Sequence, residues 1–269
     1  MSASAATATP PSANPAPAAS VPHTAMVLAA GLGLRMRPLT LTRPKPLVEV
    51  GGAPLLDHAL DRLAESGVER AVVNTHHLGA MIESHLAGRS SPAITLSPEA
   101  DLLETGGGVR HALPHLGADP IFVVNADILW LDGPIPALKR LAATWDPAVM
   151  DVLLLMMPTV AAVGYDGPGD YHMEADGRLR YRAEGELAPF VFAGVHIVKP
   201  ELYHAITENR FSNLRLWQQA EEAGRLYGMR HDGVWFHVGT PDAVEEVNTL
   251  LGHPILHDAK LSQPRKAEP

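Results

Sequence analysis

Between residues 25 and 156, short apolar runs alternate with segments whose apolar positions recur at helical spacing, and this alternation restricts the chain to few architectures. Residues 25–30, 71–74, 94–96, 121–124 and 152–156 read as strands, the fourth of them strongly β-branched. Residues 55–65 read as a helix, because Leu55, Leu56, Ala59, Leu60 and Leu63 share one face and Gly67 stops the run. Residues 77–86, 107–113 and 134–145 supply further helices. Parallel strands need crossover connections, so the expectation is an α/β chain: a Rossmann-like, doubly wound, mostly parallel sheet with helices on both faces. Ligands of such sheets bind beyond the carboxyl ends of the strands, where Gly31, Asn74, Glu99 and Asp127 all fall. After residue 156, short strands near 171, 179–182 and 190–198 are separated by glycine-rich turns, which predicts a small β insertion over the cleft. Helices over 200–206, 214–223 and 242–251 complete the expected order.

The first strand empties into Leu28-Ala29-Ala30-Gly31-Leu32-Gly33-Leu34-Arg35-Met36-Arg37-Pro38-Leu39-Thr40, followed by Pro44-Lys45-Pro46-Leu47. Small residues leave backbone N–H groups free to face an anion, Arg35 adds a planar fork of donors, and Lys45 adds a mobile point charge. The arrangement suits a nucleoside triphosphate. It lacks the third glycine of a dinucleotide fingerprint, and Lys45 is not in a Gly-Lys-Ser/Thr pattern, so neither a dehydrogenase nor a P-loop enzyme fits. Taken alone, the two glycines also fit an ordinary surface turn with Arg35 and Arg37 solvated.

Asp127 ends an apolar strand, where a carboxylate is costly unless it faces a cleft or binds a cation; a turn cap is the alternative. Magnesium prefers hard oxygen ligands and keeps several waters while bridging phosphates, so one such carboxylate is adequate. In Glu104-Thr105-Gly106-Gly107-Gly108 the glycines would let the backbone pass close to a flat base or ribose, and the following helix start would offer free N–H groups. A flexible turn is the plainer reading.

The 30 acidic residues against 21 basic ones give a formal charge of −9, which argues against a broad nucleic-acid footprint. Cysteine is absent, which excludes disulfides, thiolate catalysis and cysteine metal sites and is compatible with a reducing cytoplasm. No apolar run reaches membrane-spanning length. Residues 1–22 consist mostly of Ala, Pro, Ser and Thr and read as a disordered extension, its prolines interrupting any signal-like apolar core. One domain is expected over 23–255, with a loose tail over 256–269.

The phosphate-loop wording resembles the sugar-1-phosphate nucleotidylyltransferases. Glu104-Thr105-Gly106-Gly107-Gly108, Val123-Val124-Asn125-Ala126-Asp127, Phe192-Ala193-Gly194-Val195 and Trp235-Phe236-His237-Val238-Gly239-Thr240-Pro241 follow in that family's order, so the resemblance spans roughly residues 24 to 250. The stretch SPEADLLETGGG is most similar to the N-acetylmuramate-1-phosphate uridylyltransferases. The resemblance implies a nucleotide-diphospho-sugar transferase fold and an in-line displacement, in which a sugar-1-phosphate oxygen attacks the α-phosphorus of a nucleoside triphosphate and pyrophosphate leaves. Arg35 would hold the pyrophosphate, Lys45 would lie near the α-phosphate and sugar phosphate, and Asp127 would anchor Mg2+. Leu28, Ala30, Gly31, Gly33, Asn74, Glu99, Thr105, Gly106 and Gly107 are the implied nucleotide residues, Glu99 at the base edge.

Asn125, Gly169, Asp170, Glu184 and Gly194 match segments that contact the sugar, although Asp170 also reads as a turn residue and Glu184 as a solvated one. His237 stands where relatives commonly carry an aspartate that supplies a second metal contact. Imidazole is a poor magnesium ligand and a better one for softer ions, so Mn2+ or Co2+ stand beside Mg2+ as metals. The implied substrates are UTP and N-acetylmuramate-1-phosphate, in cytoplasmic recycling of cell-wall sugar. Mannose-1-phosphate guanylyltransferase or another sugar-1-phosphate nucleotidylyltransferase is the alternative enzyme, and a nucleotide- or sugar-sensing module is the non-enzyme alternative. Neither nucleic acid nor membrane is an expected partner, and the oligomeric state is open.

Overall fold

The computed structural model describes residues 21–253. The extension expected over 1–22 lies, but for its last two residues, outside the described residues, as does the tail expected over 256–269. The strands are β1 (Thr24–Leu28), β2 (Glu49–Val50), β3 (Ala53–Pro54), β4 (Arg70–Thr75), β5 (Ala93–Pro98), β6 (Ile121–Asn125), β7 (Leu129–Leu131), β8 (Val152–Pro158), β9 (Ala162–Val163), β10 (Tyr171–Met173), β11 (Leu179–Tyr181), β12 (Phe190–Val198), β13 (Leu226–Arg230) and β14 (Val234–Phe236). The α-helices are α1 (Leu55–Glu65), α2 (Gly79–Leu86), α3 (Glu104–Leu116), α4 (Ala137–Thr144), α5 (Asn213–Glu222) and α6 (Pro241–Leu251).

The main sheet runs β5-β4-β1-β6-β12-β8-β13, and only β12 opposes the common direction along that path. The doubly wound, mostly parallel architecture is therefore the one its strand–helix alternation demands. At the centre, Leu28 of β1 stands opposite Asn74 of β4 and Asn125 of β6. Three carboxyl ends meet at one register, so the loops that follow them open at one edge of the sheet.

Alternation along β1 sends Ala25 and Val27 into a core with Leu56, Leu60 and Leu63 of α1 and Leu138 and Leu141 of α4. Met26 instead joins Val109 and Ala112 of α3 and Leu216 and Trp217 of α5 on the opposite face. All five side chains that define the apolar face of α1 are fully buried. Each such burial stabilises by about 1.5–3 kcal/mol for the larger aliphatics, which is why this helix is set by its face and not by a cap, none being present at Pro54.

Several boundaries differ from the sequence reading. β1 stops at Leu28 and releases Ala29 and Ala30 into the loop. Pro136 is extended, with ψ 132°, so the helix expected from 134 begins at Ala137. Pro200–Ala205 forms 3-10 turns where an α-helix was expected. β7, β13 and β14 were not anticipated; two of them have only three residues, too short for a pattern to show. The expected β segment is present, and its hairpin β10–β11 joins the main sheet through β12. β9 pairs instead with β14, which also pairs with β7.

Candidate active site

Beyond the carboxyl ends of β1 and β6 lies a cleft of about 590 Å3, within the range usual for small-molecule sites. Leu28 at the end of β1 and Ala29, Ala30, Gly31, Gly33, Leu34, Arg35, Met36, Lys45 and Pro46 of the loop after it line the cleft; Asn125 ends β6 and Asp127 follows it, Leu102 precedes α3 and Glu104 and Thr105 begin it, and Ser212 and Gly239 come from later turns.

The loop after β1 is a series of 3-10 turns at Leu34–Met36, Leu39–Leu41 and Lys45–Leu47. Gly33 makes the tight fold possible. Its φ is +59°, and an added Cβ would sit 2.8 Å from Thr40 Cγ2 and 3.1 Å from Lys45 Cβ. Its carbonyl accepts from Met36 N at 2.9 Å and from Thr40 Oγ1 at 2.7 Å. Gly31, by contrast, faces open space, so its smallness serves access to the cleft and not packing. The turns place Lys45 only 9 % exposed, with Nζ donating to Asp127 Oδ2 at 2.8 Å. Arg35 is exposed and makes no hydrogen bond or ion pair among the described residues. An anion entering the cleft would meet a guanidinium not already engaged and an ammonium shared with one carboxylate.

His237 is partly buried beside this cluster. Burial holds its pKa below the ordinary histidine value, and the positive charges of Arg35 and Lys45 push the same way, while Asp127 and Asp166 oppose them. The ring is therefore neutral at neutral pH. Its edge packs against Tyr165 at 5.9 Å between centroids, and a Cβ added at Gly239 would lie 2.7 Å from Nε2. Among the described residues no group of three His, Cys, Asp or Glu side chains could hold a metal. Asp127, with its side chain 38 % exposed to the cleft, is a hard oxygen donor of the kind that suits a Mg2+ completed by water and phosphate oxygens. A closed metal centre does not fit.

Other expected residues fall elsewhere. The glycine-rich segment is helical and not a loop: Glu104, at φ +63°, already begins α3. Gly106 N and Gly107 N both donate to Phe211 O, at 2.9 and 3.0 Å. A Cβ added at Gly106 would lie 2.4 Å from the Phe211 ring, and one at Gly107 would lie 2.3 Å from Asn209 O. These glycines let the chain around Phe211 press onto the helix, and their N–H groups are taken. Thr105 does reach the cleft while its Oγ1 accepts from Asn213 N at 2.9 Å. Asn74 and Glu99 are 2 % and 6 % exposed and lie behind the lining.

Of the expected sugar residues, only Asn125 lines the cleft. Gly194, at φ +84°, sits in the irregularity of β12 with no room for a Cβ beside Ile128. Asp170 is turned inward, its Oδ2 accepting from Phe192 N at 2.8 Å, and burial raises its pKa. Gly169 packs against the Ala188 carbonyl, and Glu184 is exposed. Ser212 lines the cleft without having been foreseen, and Leu102, Glu104 and Gly239, which the sequence reading held only within longer motifs, line it too. Ser212 was readable as a helix cap, and it does accept from Leu214 N. Only packing of α5 against α3 brings it to the site.

Residues 25–159 match the MobA-like NTP transferase domain. The chain is 48 % identical over 227 residues to the N-acetylmuramate alpha-1-phosphate uridylyltransferase of Caulobacter vibrioides, covering 82 % of this chain and 94 % of that one. The protein of the same name from Neisseria meningitidis serogroup B is 37 % identical, covering 85 % and 98 %. Mannose-1-phosphate guanylyltransferases are more distant, the catalytic subunit beta of Danio rerio being 29 % identical over 81 % of this chain and 61 % of its own. Among solved structures, the inositol-1-phosphate CTP transferase from T. maritima superposes with a TM-score of 0.70 at 17 % identity, over 87 % of this chain and 98 % of that one, a likeness of fold. The chain belongs to the sugar-1-phosphate nucleotidyltransferase family of enzymes.

Proposed function

We propose that the cleft transfers the uridylyl group of UTP to N-acetylmuramate α-1-phosphate, giving the UDP-sugar and pyrophosphate. The single observation that carries the chemistry is the Lys45–Asp127 pair at 2.8 Å beneath a loop that also presents Arg35; the choice of substrates rests on the 48 % identity to the Caulobacter uridylyltransferase.

The attacking sugar phosphate is anionic near neutral pH, so no general base is needed, and catalysis reduces to positioning two anions and offsetting their charge. Lys45 neutralises the α-phosphate and the approaching phosphate, Arg35 holds the departing pyrophosphate, and the small residues Ala30, Gly31 and Gly33 let the triphosphate lie against the backbone. Thr105 and Asn125 bound the cleft where nucleoside and sugar would lie. A divalent ion, Mg2+ in our reading, would be held by Asp127 and supply charge neutralisation to the phosphates. We assign the reaction to the cytoplasm, where UTP is held.

Pyrophosphate release measured for each nucleoside triphosphate against a panel of sugar-1-phosphates tests the assignment. UTP with N-acetylmuramate α-1-phosphate is expected to be the fastest pair. Equal or faster turnover of GTP with mannose-1-phosphate would overturn the substrate choice, and no product from any pair would favour a sensing module.

His237 sets the metal requirement in the same reading. A neutral imidazole leaves Mg2+ one protein carboxylate short, so His237→Asp is expected to lower the Mg2+ concentration for half-maximal rate, while Mn2+ or Co2+ serves the native protein comparatively well. Metal titrations of the two proteins check this; superimposable curves would place His237 outside the metal's reach.

A further inference from the structure

We propose that Asn74 and Glu99 form a buried positioning relay that ties the phosphate loop to the α3 side of the cleft. The proposal rests on the reading of this cleft as a triphosphate site. Asn74 Oδ1 accepts from Ala29 N at 2.7 Å, Asn74 Nδ2 donates to Glu99 Oε1 at 2.6 Å, and Glu99 Oε2 accepts from Leu103 N at 3.0 Å. Ala29 lines the cleft on one side, and Leu103 is flanked by Leu102 and Glu104, which line it on the other. Two side chains therefore span from one wall to the other.

Burial gives the relay its stiffness. A carboxylate removed from water is costly unless its oxygens accept hydrogen bonds, and both oxygens of Glu99 do. The backbone of Glu99 is fixed as well, its N–H donating to Thr75 O at 2.8 Å and its carbonyl facing His76 Nδ1 at 3.0 Å. Gly108 leaves the space: a Cβ there would lie 2.7 Å from both Asn74 Nδ2 and Glu99 Oε1. This accounts for a glycine that the cleft itself does not use.

The hydrogen count of the relay makes it testable. Backbone donors point inward from both ends, so the two side chains between them must together offer three acceptor oxygens and one N–H bearing group. Asparagine followed by glutamate satisfies this, and so does aspartate followed by glutamine. In N74D two carboxylates face each other; in E99Q an amide NH2 faces either Asn74 Nδ2 or Leu103 N. In the N74D/E99Q double variant every contact is restored with the middle hydrogen bond reversed: the carboxylate at position 74 accepts from Ala29 N and from the amide at position 99, whose oxygen accepts from Leu103 N.

The experiment measures UTP binding by calorimetry, KM for both substrates and thermal melting for the wild type, the two single variants and the double variant. Each single variant is expected to raise Kd and KM for UTP about tenfold or more, as one misdirected buried hydrogen bond implies. KM for the sugar phosphate should change less than about twofold, and the double variant should return close to wild type. If N74D does not fold, E99Q and the double variant carry the comparison. Single variants that bind UTP normally, a double variant no better than the worse single, or a lowered melting temperature with both KM values unchanged would each overturn the relay. A folded wild type that binds no nucleoside triphosphate would instead overturn the functional reading, and the relay with it.

Discussion

Lys45→Met is expected to lower turnover by about two orders of magnitude or more, the scale on which removal of one preorganised charge from a transition state is felt. Methionine keeps much of the stem that packs between the turns of the phosphate loop and deletes only the ammonium. The local fold should tolerate the change, because the close approach to Gly33 is at Lys45 Cβ, 3.1 Å from where a Cβ on that glycine would sit, and not at the tip of the side chain. Melting temperature and steady-state rates of the folded variant separate the two effects. A near-normal rate would show that the 2.8 Å pair with Asp127 is a structural ion pair.

Asp127→Asn should cost a comparable factor by a different route. The amide preserves shape and an acceptor for Lys45 but removes the negative charge, so affinity for a divalent ion falls and the metal concentration for half-maximal rate rises. The nearly buried Lys45 would also lose the charge that balances it. Because the two residues act as a unit, the double variant with Lys45→Met is expected to be little worse than the weaker single, far from the product of the two losses. Rates measured across a magnesium titration decide this: an Asp127→Asn protein with an unchanged magnesium requirement would remove Asp127 from the metal.

The parallel sheet, the helix faces and the cationic loop were legible because each depends on local pattern. An apolar run of strand length, a five-residue apolar face and a glycine with cations downstream are all properties of neighbouring residues. Leu28, Ala30, Gly31, Gly33, Arg35, Lys45, Thr105, Asn125 and Asp127 line one cleft because they lie at the carboxyl ends of parallel strands, in the segments that follow them or at the start of α3, along the edge of the sheet that the pattern implied.

The rest depended on partners distant in the chain. Gly106 and Gly107 look like residues for a ligand, and only the arrival of Asn209 and Phe211 shows that they make room for the Phe211 ring and the Asn209 carbonyl. Asp170 and Glu99 are carboxylates of the kind that meets a substrate, yet each is turned into the protein by a backbone donor, Phe192 N in one case and Leu103 N in the other. By itself the sequence determined the fold class, the edge of the sheet at which the site opens and the charges delivered there, because period and composition specify which face of each element is buried. Only the tertiary structure decided which polar residues face the cleft and which brace it from behind, because a side chain's hydrogen-bond partners are chosen by packing and not by spacing along the chain.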